Sequence, residues 1–278
     1  MDSNFQVPIV FGDEEEKAAF VQRNERIISL LPDLARLAER VFGSTIYTLT
    51  PPSVIAYGLL STATEIFAEI VCLAANSFGR AALARVRTMF EFVALAAYFV
   101  QEPNEAEKFI EFENVERVKD LRRAKGIFAK GNDPQALADL EAELLKLEAR
   151  VDLSKKRFGK DFVRSWHQGF EKIAQELGWE HHFFYNYLLP NKYVHASALL
   201  LERRTELINE GSSEEQLMVD YGPDSGAADE ALRSACTLLI LDYAVANDLL
   251  KLGEPTAIEG LSKALIEMYK GVPNRHKI

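Results

Sequence analysis

The sequence predicts an all-α protein: a multi-helix bundle with a central antiparallel pair of apolar helices. Three observations carry this. Apolar residues recur at helical spacing along almost the whole chain. Two segments, Pro52–Phe78 and Ala81–Val100, are apolar on nearly every side and are joined by a short turn, which makes them an antiparallel pair. The breaks between segments carry helix-stop residues: Gly43-Ser44, Glu102-Pro103-Asn104, Gly131-Asn132-Asp133-Pro134 and Gly178. With 278 residues, 48% of them hydrophobic, the chain can bury a sizeable core.

In order, Asp13–Phe42 opens on Asp13, Glu14, Glu15 and Glu16, which suit the positive end of a helix dipole. It continues with Phe20, Ile27, Leu31, Leu34, Leu37 and Val41 on one face. Helices follow over Ser53–Asn76 and Arg80–Val100. The next, Glu105–Lys130, shows Phe109, Phe112, Val115, Val118 and Leu121. Pro134–Arg157 is highly charged, with a narrow stripe of Leu137, Leu140, Leu144, Leu147 and Val151. Further helices are expected over Lys160–Leu177, Glu180–Ile208 (interrupted by Pro190), Ala227–Lys251 and Pro255–Lys270. Residues 209–229 read as an irregular loop, with at most a short hairpin near Leu217–Tyr221. One domain spans 1–278, with 105–157 as a projecting helical arm.

Charge narrows the function. The net charge is −10, so the surface as a whole disfavours RNA or nucleotides, and only local basic runs, Lys119–Lys130 and Lys155–Lys160, could bind phosphate. The two long apolar segments are interrupted by Glu65 and Glu69, and by Arg85, Arg87 and Glu91. Each such charge costs about 2.5–3.5 kcal/mol at a bilayer centre, so the segments read as bundle helices and not membrane spans. No basic, apolar leader opens the sequence, and a cytoplasmic protein is expected. Cys72 and Cys236 sit alone in apolar runs and read as buried free thiols.

Chemistry-bearing residues are few. Arg80, Arg87, Glu91 and Tyr98 share one stripe, and Ser61, Glu65, Glu69 and Cys72 share another. The short turn suggests that Glu65 or Glu69 pairs with Arg80 or Arg87, and an ion pair of Arg80 or Arg87 with Glu65, Glu69 or Glu91 is expected, either as a structural network or as the lining of a polar pocket. No Glu-x-x-His occurs, which argues against a di-metal site, and no metal or cofactor is expected. The run Tyr185-Asn-Tyr-Leu-Leu-Pro190-Asn191-Lys-Tyr-Val-His195 puts Asn191 and His195 one turn apart beside a proline kink. Glu202 continues their line. His195 is a candidate acid or base, or a core histidine tying two helices together; it is expected to contact the Arg87–Glu91 helix.

Arg87-Thr-Met-Phe-Glu91, the run Phe109–Leu121, Trp166-His-Gln-Gly169, Ile173-Ala174, Gly178, Tyr185 and Val194-His195-Ala-Ser197 occur in this order. The set resembles a bacterial helical family, domain of unknown function 5677, over about residues 53–201. The resemblance points to Arg87, Glu91 and His195, with Tyr185 and Trp166 as its aromatic positions. More distantly, the layout is similar to the HEPN bundles, the group named for higher eukaryotes and prokaryotes. Many of these are metal-independent ribonucleases of toxin or antiphage systems. That resemblance implies Arg87 as phosphate clamp and His195 as acid or base, with Asn191 and Tyr185 orienting. The Arg expected shortly before the His is missing, since Leu188, Leu189 and Pro190 stand there. The competing expectation is a non-catalytic interaction protein of a defence or toxin–antitoxin system. Self-association is expected, as a homodimer through the leucine stripe of Pro134–Arg157 or through Leu238–Leu241.

Overall fold

Helices account for most of the residues that the computed structural model describes, namely 14–43, 50–131, 133–167, 169–194, 205–208, 216–219 and 224–269. They run α1 (Glu14–Arg23), α2 (Glu25–Ile28), α3 (Leu31–Phe42), α4 (Pro51–Ala75), α5 (Gly79–Gln101), α6 (Pro103–Phe128) and α7 (Pro134–Phe158). A 3-10 turn (Lys160–Val163), α8 (Phe170–Leu177), α9 (Glu180–Phe183), a π-helical turn (Phe184–Leu188) and α10 (Leu189–Val194) follow. Strands β1 (Thr205–Ile208) and β2 (Gln216–Val219) come next, then α11 (Ser225–Leu250) and α12 (Pro255–Tyr269).

The core is the triangle of α4, α5 and α11. Val86, Met89, Phe90, Val93, Ala94 and Ala96 of α5 are fully buried, as are Ala56, Leu60, Ala63 and Ile70 of α4. Ala231, Leu232, Ala235, Leu238 and Ala246 of α11 close the triangle. The alanines at these crossings let the helix axes approach, and the larger side chains fill the gaps between them. The remaining side of α5 is covered by α8, the π-turn and α10. By length and composition alone α4 could cross a membrane; here it packs its line Ala56–Leu60–Ala63–Ile70–Ala74 against the other two core helices.

The joint between α4 and α5 explains their register. Ser77 adopts φ +66°, while Phe78 N–H donates to the Leu73 carbonyl and Ser77 N–H to that of Ala74. This is a Schellman ending to α4. Gly79 then lies against the start of α11: a Cβ on it would sit 2.4 Å from both the Ala228 nitrogen and the Asp224 oxygen. Asp224 caps α11 by accepting from Ala227 N–H at 2.9 Å, and its other oxygen takes Arg80 Nε at 3.0 Å.

Polar ties fasten the N-terminal helices. Asn24 and Arg23 both donate to Asp229 of α11, at 2.7 and 3.1 Å, and Tyr243 donates to the Leu34 carbonyl at 3.0 Å. Asp242 is the buried exception. It is 0% exposed and accepts from Thr64 at 3.2 Å, while its Oδ1 has no partner among the described residues. Burial holds its carboxyl well above the usual carboxylate range.

A second core joins α6 and α7: Val115, Val118, Leu144, Leu147 and Val151, with Phe162 of the 3-10 turn at one end. Ion pairs cross outside it, Arg117–Glu143, Arg122–Glu148, Lys125–Glu141 and Arg157–Glu107.

Several expectations are corrected. The first helix is broken into three, and at the second break Pro32, in the first turn of α3, has no N–H to continue the preceding helix. The helix expected to reach Ile208 does not: Thr205–Ile208 is a strand, antiparallel to Gln216–Val219 with Thr205 opposite Val219. The short hairpin expected near Leu217–Tyr221 is present as the strand Gln216–Val219, and α11 starts at Ser225, within the stretch read as a loop. Lys160–Leu177 is a 3-10 turn and a shorter helix, parted at Gly169, whose φ of +100° suits glycine. Cys236 is buried, but Cys72 is exposed, on the side of α4 away from the core. Of the two expected dimer seams, Leu144, Leu147 and Val151 pack in the α6–α7 core, and Leu238, Leu239 and Ile240 lie in the main core.

Two stability measurements follow. Gly79→Ala forces a methyl into backbone that side-chain motion cannot relieve; chemical denaturation should show a loss of about 1–3 kcal/mol. Asp242 binds its proton more tightly folded than unfolded, so its carboxyl costs nothing below the unfolded value of 3.8 and destabilises as pH rises through the folded value. The Asp242→Asn variant should lose that part of the pH dependence. A wild-type urea midpoint that rises from pH 5 to pH 8 and is unaltered by the substitution would contradict this.

Candidate functional site

Arg87 lies mid-way along a helix with almost no polar neighbours, so the geometry around it decides whether it is a clamp or a strut. Glu91 is one turn later on the same face, and Arg87 Nη2 meets Glu91 Oε1 at 2.9 Å. The same nitrogen donates to the Tyr187 hydroxyl at 3.1 Å, and the guanidinium carbon lies 4.7 Å from the centre of the Tyr187 ring. Both side chains of the ion pair are 23% exposed. Burial raises the Glu91 carboxyl above its ordinary range, and the Arg87 charge offsets this only in part.

The π-turn delivers Tyr187. In it Leu189 N–H donates to the Phe184 carbonyl, five residues back, and at the next position Pro190 has no N–H to give. The widened turn sets Tyr187 against α5, stacked on Phe183 (centroids 5.0 Å, 18°) and touching Phe90 at 6.0 Å and Phe170 at 5.5 Å. Asn191, one helical turn beyond Tyr187, has a buried Oδ1 with no partner among the described residues; Arg87 Nε is in the same condition. Aromatic contacts continue outward from Phe170 through His167 (5.5 Å) to Trp166 (4.3 Å from His167). Trp166 packs on Phe99 and Phe109, where α5 meets α6.

The structure therefore unites Arg87 and Glu91 and places Asn191 on the helix that packs against them. Trp166 is linked to them only through intervening rings, and it lies in the bend between the 3-10 turn and α8. Tyr185 is corrected: its ring packs against His181 at 4.6 Å, and the tyrosine at Arg87 is Tyr187. The extra residue in the π-turn sets Tyr187, and not the Tyr185 that the resemblance implied, against α5. Of the expected ion pairs, Arg87 with Glu91 is present; the cross-helix pairing differs, since Glu69 pairs with Arg85 at 2.5 Å and Arg80 with Asp224. His195, Ser197 and Glu202 lie outside the described residues, and with them the expected contact between His195 and α5.

Sequence reasoning missed His167, whose Nδ1 accepts from Gly169 N–H at 2.7 Å. In the neutral ring the proton is then on Nε2, and burial depresses the basicity of the imidazole. The Trp-His-Gln-Gly sequence held the signal: a histidine two residues before a glycine that must take positive φ. Tyr98, on the Arg87 stripe, is held up to about 12 by burial and by Glu105, Glu176 and Glu102. Among the described residues no cluster of three His, Cys, Asp or Glu could hold a metal ion.

The sequence model of a family of unknown function, DUF5677, matches residues 53–213. The chain belongs to this family. No curated protein and no solved structure matches it. The DUF5677 span begins two residues inside α4 and ends beyond β1, so it contains Arg87, Glu91, Tyr187, Asn191 and the position of His195. It excludes α11, the third side of the core.

Removing Arg87 leaves a desolvated carboxylate and an unpaired tyrosine hydroxyl. Arg87→Ala should lower stability by about 1–3 kcal/mol, less than for a fully buried pair. Because the folded Glu91 carboxyl is already raised, and Arg87 is what lowers it, the deficit should be greatest above the folded value and shrink as pH falls through it. Adding Glu91→Gln should recover part of the loss at neutral pH. Equal deficits at pH 4.5 and pH 8 would show that the two residues do not share an interaction.

Proposed function

We propose that the protein is a non-catalytic helical interaction protein, working in the cytoplasm as a component of a bacterial defence or toxin–antitoxin system. One observation carries the binding half of this reading: six of the nine basic side chains in the two runs that could hold a nucleic acid are paired with carboxylates within the chain. Lys119 pairs with Glu116, Arg122 with Glu148, Arg123 with Asp120, Lys125 with Glu141, Lys155 with Asp152 and Arg157 with Glu107. A phosphate backbone would have to displace these carboxylates one by one, and counterion release would yield little. The clamp residue is similarly engaged, since Arg87 is neutralised by Glu91 and covered by the Tyr187 ring. The setting rests on the family resemblance; the reading itself needs no metal and no cofactor.

A second reading, a HEPN-like metal-independent ribonuclease or nucleotide-handling bundle using His195 and Arg87, is favoured by the unpartnered Arg87 Nε and Asn191 Oδ1. It requires Arg87 to leave Glu91 for a phosphate. The two separate in a gel assay with labelled single-stranded RNA at low salt, with and without chelator. The expected outcome is no cleavage and no salt-dependent retention. Chelator-resistant cleavage abolished by both Arg87→Ala and His195→Ala would overturn the interaction reading.

A further inference from the structure

The outer face of α7 is neither core nor ordinary solvated surface. One side of α7 is spent on α6, through Leu144, Leu147 and Val151. The opposite side carries Leu145, Ala149 and Leu153, four residues apart and hence on one line. Leu145 is 70% exposed and Leu153 64%, on either side of a small central residue. A single exposed leucine needs no explanation, but two aligned on a highly charged helix do.

The charges that flank the two leucines between Lys146 and Asp152 are sorted by sign, while Asp139 and Glu143 lie a turn or more earlier on the basic side and Lys156 lies on the line beyond Leu153. At the α-helical rotation per residue, Glu141, Glu148 and Asp152 fall along one edge of the Leu145–Ala149–Leu153 line. Lys146, Arg150 and Arg157 fall along the other, at mirror-image angles. Lys146 and Arg150 are exposed and have no ion-pair partner among the described residues, although the chain carries ten more acidic than basic side chains. The carboxylates opposite are held by Lys125, Arg122 and Lys155, yet stay open to solvent along their outer sides.

We propose that this face binds a second copy of the chain, with the two α7 helices parallel about a two-fold axis running along them. The charge pattern selects the orientation. In a parallel pair the acidic edge of each copy lies against the basic edge of the other, and Lys146 and Arg150 gain carboxylate partners. In an antiparallel pair each edge would meet its own kind, acid against acid and base against base. Ala149 at the centre lets the helices approach, and each leucine meets its own counterpart in the partner copy. The inference rests on the interaction reading above and names its first partner.

Sedimentation velocity from low to high micromolar concentration should show a monomer–dimer equilibrium. Leu145→Glu should weaken it by at least about tenfold, as expected for loss of a central apolar contact, with an unchanged thermal melt because the site faces solvent. Orientation is read by oxidation in a Cys72→Ser background. Leu145→Cys and Leu153→Cys should each cross-link with itself. Cross-linking only when the two variants are mixed would mean an antiparallel pair and overturn the proposal, as would a monomer at every concentration. RNA cleavage by a dimeric protein would instead remove the interaction reading and leave the dimer standing.

Discussion

The burial of most of α5 is the constraint from which the rest of the architecture follows. Fully burying side chains such as Leu83, Met89, Phe90 and Phe99 contributes about 1.5–3 kcal/mol each, so the apolar term decides that the helix goes inside. A helix so placed leaves its charges only part-exposed, and each is met by whatever covers it. Its three arginines each record a different contact: Arg80 takes the capping aspartate of α11, Arg85 takes Glu69 of α4, and Arg87 reaches Tyr187 in the π-turn. An ion pair that is partly desolvated adds little net stability, but a wrong partner costs several kcal/mol. These contacts therefore fix register more than they add cohesion.

That logic separates what was legible in the sequence from what was not. The apolar segments of α4 and α5 and the short turn between them announce an antiparallel central pair. The Arg87–Glu91 pair is legible too, because a four-residue interval on a helix leaves no other geometry. Arg80–Asp224 is not, since it joins residues far apart in the chain. Its only local trace is an aspartate three residues before Ala227, a capping pattern within a stretch that otherwise looks irregular. Tyr187 is hidden for a different reason: periodicity arguments assume one angle per residue, and the π-turn inserts a residue. The Pro190 that marks the spot was visible, but the side chain it reorients was not.

The hairpin of α6 and α7 shows the opposite balance. Its core is small, and Ser154, at the end of its buried line, donates to Glu111 at 2.8 Å. Ion pairs that cross between the two helices supplement that core. Exposed pairs of this kind are worth well under about 1 kcal/mol each, so their larger effect is to occupy charges. Because α7 offers its carboxylates to the cations of α6, the basic stretch that looks available in the linear sequence is cancelled in three dimensions. Here the sequence misleads through proximity: Lys119–Lys130 is a basic run along the chain, but its neighbours in space are acidic.

The same two helices show why the leucine stripe predicted as a seam and the face now inferred to be one are different faces of a single helix. A narrow stripe at intervals of three and four satisfies either an intramolecular partner or a second copy, and pattern alone cannot choose. Once α6 takes Leu144, Leu147 and Val151, whatever remains apolar on α7 must be on the far side, and Leu145 and Leu153 are what remains. Their cost in water is not relieved anywhere among the described residues, whereas Leu144, Leu147 and Val151 of the α6-facing line are buried. From Lys146 to Asp152 the charges beside Leu145 and Leu153 are ordered by sign across the line. Stability of the monomer requires no such order, because α6 already holds Glu141 and Glu148 and leaves Lys146 and Arg150 to solvent. A pattern that folding does not require, placed around apolar surface that folding does not cover, is most economically explained by a partner whose own edges carry the reverse order, and a parallel copy of α7 is such a partner.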